Sequence, residues 1–169
     1  MPGPGTLPLK DEPRGFIPFG RVLSMHEYLA TASAVIYPGD LVKMSPSGRV
    51  LAASAGSTQL VGVAVQYKKS TGTTVLVYDD PDQNYMVQDD ASGLTVLITT
   101  HIGQNADVLA TAGNATLLKS QHELTRSDAY ASTASNLRIL GIVSVTGANS
   151  LVRVMINEHA WAKKLTAAV

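Results

Sequence analysis

The sequence predicts an all-β fold, a small β-sandwich or a jelly-roll-like β-barrel, with an extended N-terminal arm. Valine, isoleucine and threonine make up 39 of the 169 residues, and their branched Cβ atoms suit a pleated surface. From residue 34 onward, short apolar runs alternate with turn formers about every 8–12 positions, as in sandwiches and barrels. Five of the eight prolines lie in the first 18 residues, which sets that segment apart.

Residues 1–33 form the predicted arm. Proline fixes φ and lacks a backbone donor, so this segment cannot be a regular helix or a central strand. It is not simply polar either, because both phenylalanines of the chain lie in it. A disordered, solvated terminus gains little from such side chains, and we therefore expect the arm to dock on a neighbouring subunit. The predicted interface anchors in the arm are Phe16, Ile17, Phe19, Val22 and Leu23.

The β domain is predicted to span residues 34–157. Its strongest candidates are two hairpins, residues 60–67 with 73–78 and residues 138–145 with 151–156. Further candidate strands are residues 35–37, 41–44, 49–51, 85–88, 94–100 and 107–109. The predicted core residues are Val63, Val65, Val75, Val77, Ile142, Val154 and Ile156.

Helix signals are few. Residues 25–32 could form one short helix, and residues 159–165 in the C-terminal tail (158–169) could form another. The tail holds Trp161, the only tryptophan of the chain. A lone tryptophan either closes over its own core or anchors on a partner, and we include Trp161 among the predicted interface residues.

The two hairpins are similar to each other, which indicates two copies of a small β unit packed as related halves. Upstream of the hairpins, Gly39-Asp40-Leu41-Val42 is similar to Ala106-Asp107-Val108-Leu109. The proposed match of the halves therefore aligns Gly39 with Ala106.

Composition excludes several classes of function. Lys plus Arg and Asp plus Glu are 13 each, and a net charge of zero argues against a nucleic-acid binder or a polybasic membrane-surface protein. The lack of cysteine removes disulfides, thiolate zinc sites and cysteine nucleophiles. No apolar run reaches the roughly 18 residues of a membrane span, and no signal-peptide pattern is visible. Charged residues are only 15%, which favours a surface that partners cover.

The densest polar stretch is Asp79-Asp80-Pro81-Asp82-Gln83-Asn84, followed by Asp89-Asp90. Clustered carboxylates can bind Ca²⁺ or act as general acid and base. Their spacing does not match an EF-hand loop, and turn chemistry explains each residue type, so a metal near Asp79 stays an open alternative.

No catalytic motif is visible elsewhere. The histidines, at positions 26, 101, 122 and 159, do not have the spacing of a zinc site. There is no nucleophile elbow, phosphate-binding loop or dinucleotide-binding motif. The sequence therefore predicts a protein that is not an enzyme, with no catalytic residue, no metal and no cofactor.

Two stretches carry a resemblance. Tyr37-Pro38-Gly39-Asp40-Leu41-Val42-Lys43, with Leu60-Val61-Gly62-Val63-Ala64, resembles small head proteins of tailed phages. Residues 77–88 resemble phage structural proteins of the capsid cement, or decoration, type. The resemblance covers about residues 35–157. It implies a β-rich protein that binds the outer surface of an icosahedral shell and stabilises it, and it implies no catalytic residues.

We accordingly expect a virion structural protein on the outer surface of a phage capsid, assembled in the host cytoplasm. It would contact the major capsid protein and itself, as a homodimer or homotrimer, and neither nucleic acid nor membrane. The alternatives are a head–tail connector or tail protein, a small ligand-binding or carbohydrate-binding β-barrel, and a small hydrolase. The hydrolase would use Asp79, Asp80, Asp82 or Asp89 with a histidine. The binding barrel would have to work with nine aromatic residues, and both phenylalanines among them lie in the arm.

Overall fold

Residues 11–90, 99–125, 136–144 and 149–162 are described by the computed structural model of the chain. These residues form twelve β-strands and a 3₁₀ turn at Thr99–His101. Every pairing between the strands is antiparallel. The prediction of an all-β fold is therefore confirmed.

Helices long and apolar enough to cross a membrane are absent from the described residues.

The strands form two successive units, with one short strand before them. β1 is Ile17–Pro18, from the predicted arm. The first unit contains β2 (His26–Leu29), β3 (Leu41–Met44), β4 (Val50–Ala52), β5 (Leu60–Ala64) and β6 (Thr74–Tyr78). The second unit contains β7 (Asn84–Gln88), β8 (Asn105–Ala106), β9 (Val108–Asn114), β10 (Lys119–Leu124), β11 (Leu137–Ser144) and β12 (Leu151–Ile156).

The first unit is a sheet that closes on itself. Its strand order is β2-β6-β5-β3-β4. Ala30, which follows β2, forms a bridge with Val50 of β4, and the Thr31 N–H donates to the Val50 carbonyl oxygen over 2.9 Å. The last strand of the order therefore meets the first, and the sheet curls around a small core. That core contains Ala30, Ile36, Val42, Val50, Val61, Ala64, Val75 and Val77.

The second unit has the same cyclic order of strands. β7 is followed in the sheet by β12, β11 and β8, and β8 continues into β9 after the single residue Asp107. β9 then pairs with β10. Asp89, which follows β7, bridges to Leu124 of β10, and the Asp90 N–H donates to the Leu124 carbonyl oxygen over 3.0 Å. This closure repeats that of the first unit.

A larger core joins the two units. Leu41, Leu60 and Val63 of the first unit lie in it together with buried side chains of the second. Because one apolar cluster contains side chains of both units, the burial of each unit depends on the other. The contributions of the second unit include Tyr85, Val87, Leu137, Ile139, Val152, Val154 and Ile156.

The units also repeat each other in register. β2 pairs with β6 as β7 pairs with β12, and in both units the closing bridge, at Ala30 or Asp89, directly follows the last paired residue, Leu29 or Gln88. The indicated internal repeat is therefore confirmed at the level of strand pairing. Equivalent pairs are His26–Val77 and Tyr85–Val154, Glu27–Leu76 and Met86–Arg153, and Ala30–Thr73 and Asp89–Ser150.

Gly39 and Gly103 occupy the same place in the two units. Their φ angles are 91° and 87°, and their N–H groups donate to the carbonyl oxygens of Ala64 and Ile139 over 2.9 and 2.8 Å. A left-handed φ at this turn position requires glycine. The equivalent of Gly39 is therefore Gly103, and the predicted match with Ala106 is wrong. Asp followed by two apolar residues occurs in both stretches, and that short pattern produced the false alignment.

Five of the seven predicted core residues are buried. The other two, Val65 and Ile142, are partly exposed. Val65 lies just beyond the end of β5. Ile142 lies in β11 between two shifts of register, and such bulges re-aim neighbouring side chains. The buried five are Val63, Val75, Val77, Val154 and Ile156.

The arm departs most from its prediction. Residues 25–32 contain β2 rather than a helix, because the backbone groups of β2 pair with β6, which lies 45–51 positions later in the sequence. β1 pairs with β7 of the same chain. Two parts of the arm, β1 and β2, thus belong to the chain's own sheets, and docking of its exposed side chains on a neighbouring subunit stays a prediction.

The remaining candidate elements are resolved in part. His159 bridges to Leu60 instead of starting a helix, and residues 163–165 lie outside the described residues. Candidate strand 94–100 also lies outside them, apart from its last two positions. Candidate strand 35–37 contributes a single bridge, between Ile36 and Lys68.

Gly39→Ala is expected to destabilise the protein more than Gly103→Ala. Both substitutions place a side chain in the left-handed region, which costs about 1–2 kcal/mol. A Cβ at residue 39 would also lie 2.6 Å from the Arg14 carbonyl oxygen, whereas a Cβ at residue 103 meets nothing within 4 Å. Urea unfolding followed by circular dichroism measures both losses. Equal losses would contradict the close packing of the arm on the first turn.

Candidate interaction surface

The arm is tied into the chain's own core at Phe16. Phe16 is 1% exposed, its ring meets the Tyr85 ring edge-on with centroids 6.4 Å apart, and its N–H donates to the Gly39 carbonyl oxygen over 2.9 Å. Its side chain is therefore not available as the partner anchor that the sequence predicted. Deleting residues 1–20 would remove a core residue, so point substitutions give a sharper test of docking.

A second tie is made by the carboxylate of Asp79, which follows β6 and is buried. It accepts hydrogen bonds from the Ser24 hydroxyl over 2.7 Å, from His26 Nδ1 over 2.8 Å and from the Tyr28 hydroxyl over 2.6 Å. Alternate residues of an extended strand face the same side, which is why these three donors converge. The arm segment is thereby fixed to the end of β6.

The same network reaches the C-terminal tail. Trp161 Nε1 donates to the Tyr28 hydroxyl oxygen over 3.2 Å, while 54% of the Trp161 surface stays exposed. Ser24, His26, Tyr28, Asp79 and Trp161 are called the Asp79 cluster below. It joins the arm, the end of β6 and the tail, which are far apart in sequence.

Electrostatics favours an ionised Asp79 in this cluster. Burial by itself raises the pKa of Asp79, but hydrogen bonds from Tyr28, Ser24 and His26 outweigh it and hold the pKa below its ordinary value. Burial and the neighbouring Asp79 raise the pKa of Tyr28 to about 12. At neutral pH these hydrogen bonds therefore run to an anionic acceptor, which makes them strong.

The cluster differs from a nucleophile–base pair. In a serine triad the histidine lies between the serine and the carboxylate. Here Asp79 lies between Ser24 and His26 and bonds to both. The geometry suits anchoring of the arm, and it does not aim a base at the Ser24 hydroxyl.

The other carboxylates of the polar stretch do not converge with Asp79. Asp80 accepts the Asp82 N–H over 2.8 Å, which is the turn chemistry that the sequence predicted. Asp89 accepts the Ser150 N–H over 2.7 Å. Over the ranges that the structure describes, no group of three or more His, Asp or Glu side chains is placed to hold a metal ion.

Between these two ties, the arm presents apolar side chains to solvent. All of the predicted interface residues except Phe16 have between 39% and 54% of their surface exposed. The segment is nevertheless held, because the Leu23 N–H donates to Gln83 Oε1 over 3.1 Å and the Arg153 guanidinium lies 5.6 Å from the centre of the Phe19 ring. The arm surface is defined as Ile17, Phe19, Val22 and Leu23 of the arm, together with Trp161 of the tail, which reaches the arm at Tyr28.

Two exposed apolar residues of the arm were missed by the sequence analysis. Met25 is 44% and Leu29 is 54% exposed, beside and within β2. The sequence analysis predicted a helix over residues 25–32, and a helix gives no reason to place Met25 and Leu29 at the edge of a sheet. The signal that could have located them is the alternation of Ser24, His26 and Tyr28, which indicates a strand with one polar face.

His122 and Asp40 form a buried pair that is separate from the arm surface. His122 Nε2 lies 3.6 Å from Asp40 Oδ1, and His122 Nδ1 accepts the Leu41 N–H over 3.2 Å. Burial lowers the pKa of His122 and raises the pKa of Asp40. His122 is therefore neutral, with its proton on Nε2 towards Asp40. The pair links β3 to β10 inside the fold, which is a structural role.

Glu123 lies in an acidic environment where the arm meets the second unit. It is 9% exposed, and its Oε1 atom has no hydrogen-bond partner among the described residues. Burial, with added repulsion from Asp11, Asp90 and Asp89, raises the pKa of Glu123 to about 7. Its ionisation near neutral pH therefore places an uncompensated charge inside the protein.

No protein-family model matches the sequence, and no curated protein matches it.

Asp79→Asn is expected to lower the free energy of unfolding by about 1–3 kcal/mol at neutral pH, because three donors lose a charged acceptor. Because the folded pKa is lowered, the wild-type advantage is present above the ordinary value of 3.8 and is lost as the pH falls through the folded pKa. Urea unfolding across pH measures this. Asp82→Asn, at an exposed turn position, is the control, and an equal loss there would contradict the anchoring role.

Glu123→Gln is expected to abolish one pH dependence of stability. The folded pKa of about 7 lies above the ordinary 4.5, so the folded protein keeps a proton that the unfolded chain releases. Stability therefore falls as the pH rises from 4.5 through 7, by about 1–3 kcal/mol in the wild type relative to the variant. Chemical unfolding at several pH values measures the difference. Parallel pH profiles would show that Glu123 ionises normally.

Proposed function

We propose that this chain is a virion structural protein of the capsid cement, or decoration, type. It would bind the outside of a phage capsid through the major capsid protein and stabilise the shell across capsomer junctions. The observation that carries the proposal is the arm surface, a set of exposed apolar side chains on an arm segment that is fixed at both ends, together with Trp161 of the tail. The resemblance of residues 37–43, 60–64 and 77–88 to phage head proteins supports the choice of partner.

The physical properties of the arm surface suit such a role. Exposed apolar side chains grouped on one segment mark protein–protein contact sites. Phe16 and the Asp79 cluster already hold the arm in place, so little conformational entropy is lost when it docks. A protein that binds only the assembled shell stabilises that state by mass action, and many copies of modest affinity add up.

The ligand-binding alternative has less support. The interiors of both units are filled by their own apolar side chains. An open cleft of about 560 Å³ lies beside β3 and β4, and its lining contains no aromatic residue. Its polar lining residues include Lys43, Ser45, Ser57 and Gln59. A stacking platform for sugars or nucleobases is missing there, so the cleft does not favour a second function.

The double substitution Phe19→Ser with Leu23→Ser is expected to weaken binding to mature capsids that lack this chain by at least about tenfold, as for buried interface anchors. Co-sedimentation of purified protein with such capsids measures the affinity. Leu117→Ser is the matched control, because Leu117 is apolar and 61% exposed but lies in the β9–β10 turn. Equal binding by all three proteins would overturn the docking role of the arm surface.

A further inference from the structure

The repeat between the units reveals a difference at one strand edge. In the second unit, β1 covers the outer edge of β7 by pairing with Tyr85 and Met86. The Phe19 N–H extends this pairing by donating to the Asn84 carbonyl oxygen over 2.9 Å. The equivalent strand of the first unit is β2. No strand of the described residues lies against its outer edge, apart from the closing bridge at Ala30.

The backbone groups that point away from β6 belong to Met25, just before β2, and to Glu27 and Leu29 within it. The Ala30 N–H donates to the Thr73 carbonyl oxygen across the β2–β6 pair, and bonded residues alternate along antiparallel strands. The backbone N–H and C=O groups of the even-numbered residues of β2 therefore bond to β6. Those of the odd-numbered residues point away from β6. The parallel bridge between Ala30 and Val50 occupies the Leu29 carbonyl oxygen, and among the described residues no strand pairs with Met25 or Glu27 on this side. Such an edge is a template for an added strand.

The segment that covers β7 shows what fits such an edge. Its sequence is Ile17-Pro18-Phe19. Phe19 bonds to β7, so by alternation Ile17 bonds as well and Pro18 faces away. Proline is tolerated in an edge strand where its missing N–H faces outward. The pattern of apolar residue, proline and apolar residue occurs only once more in the sequence, at Leu7-Pro8-Leu9, which lies outside the described residues.

We propose that Leu7-Pro8-Leu9 of a second copy of this chain binds the outer edge of β2 as an added antiparallel strand. Each copy carries both this segment and this edge, at different places in the chain, so copies join head to tail. The exposed side chains of Met25 and Leu29 flank the edge and provide apolar contacts. The inference is independent of shell binding, because every measurement below uses the free protein.

The internal repeat fixes the register of the added strand. Ile17 lies opposite Met86 in the second unit, and Met86 is equivalent to Glu27. The same geometry places Leu7 of one copy opposite Glu27 of the next.

Self-association of the full chain is measured by sedimentation velocity over a range of concentrations. Glu27→Pro removes an outward N–H without touching the β2–β6 bonds, and we expect it to raise the dissociation constant about ten- to hundredfold. Glu27→Ala keeps the N–H and is the matched control, with association retained. Leu7→Ser with Leu9→Ser alters only the donor segment, and we expect the same loss as for Glu27→Pro.

A wild-type chain that stays monomeric at all concentrations would overturn the proposal. So would association that Glu27→Pro and the Leu7→Ser, Leu9→Ser variant both leave unchanged. Circular dichroism of each variant separates lost association from lost folding, and the donor-segment variant decides the matter if Glu27→Pro does not fold.

Disulfide trapping tests the register and the identity of the partner. The chain has no cysteine, so a tagged Leu7→Cys protein can be mixed with an untagged Glu27→Cys protein and oxidised. Residues directly opposite on paired strands lie within disulfide range, and we expect a cross-linked heterodimer. Leu7→Cys mixed with Leu117→Cys is the control and should give none. A bond that forms only within one chain carrying both cysteines would overturn the second copy as the partner.

Discussion

The strand edges of the two units are the constraint on which the rest of the structure depends. A sheet edge leaves backbone N–H and C=O groups without partners, and each unit closes on itself at a single bridge, at Ala30–Val50 and at Asp89–Leu124. The bridge directly follows β2 in the first unit and β7 in the second. The outward backbone groups of these two strands therefore still need a partner. In the second unit that partner is β1, which makes the arm a component of the fold and not an appendage to it.

The position of the arm explains how apolar side chains come to lie outside. Phe16 fills the core shared by both units, and the Asp79 cluster fixes the arm again some eight residues later. The residues between these two fixed points run along the protein surface, where the side chains of Val22 and Leu23 are exposed to solvent. A tail with the same composition but without the ties would lose conformational entropy on binding. The cement proposal follows from this preformed arrangement.

Local patterns in the sequence predicted the two long hairpins, because apolar and β-branched residues over 73–78 and 151–156 follow runs of turn formers. They did not predict β2, because its partner β6 lies about 50 residues away. The Asp79 cluster was not predicted for the same reason, because its donors in the arm lie 51–55 positions from the carboxylate in sequence. Buried Lys68, which donates to the carbonyl oxygens of Thr31 and Ala34, likewise depends on contacts that only the folded chain supplies.

The most direct test of the cement proposal is cryo-electron microscopy of particles from the source, after mass spectrometry has shown that they contain this chain. The account predicts density on the outer surface of the shell, at the high copy number of a protein that covers capsomer junctions, with Phe19 and Leu23 at the contact. A ring of this chain at a single vertex would contradict the account and favour a connector. Absence of the chain from the particles would contradict a virion role altogether.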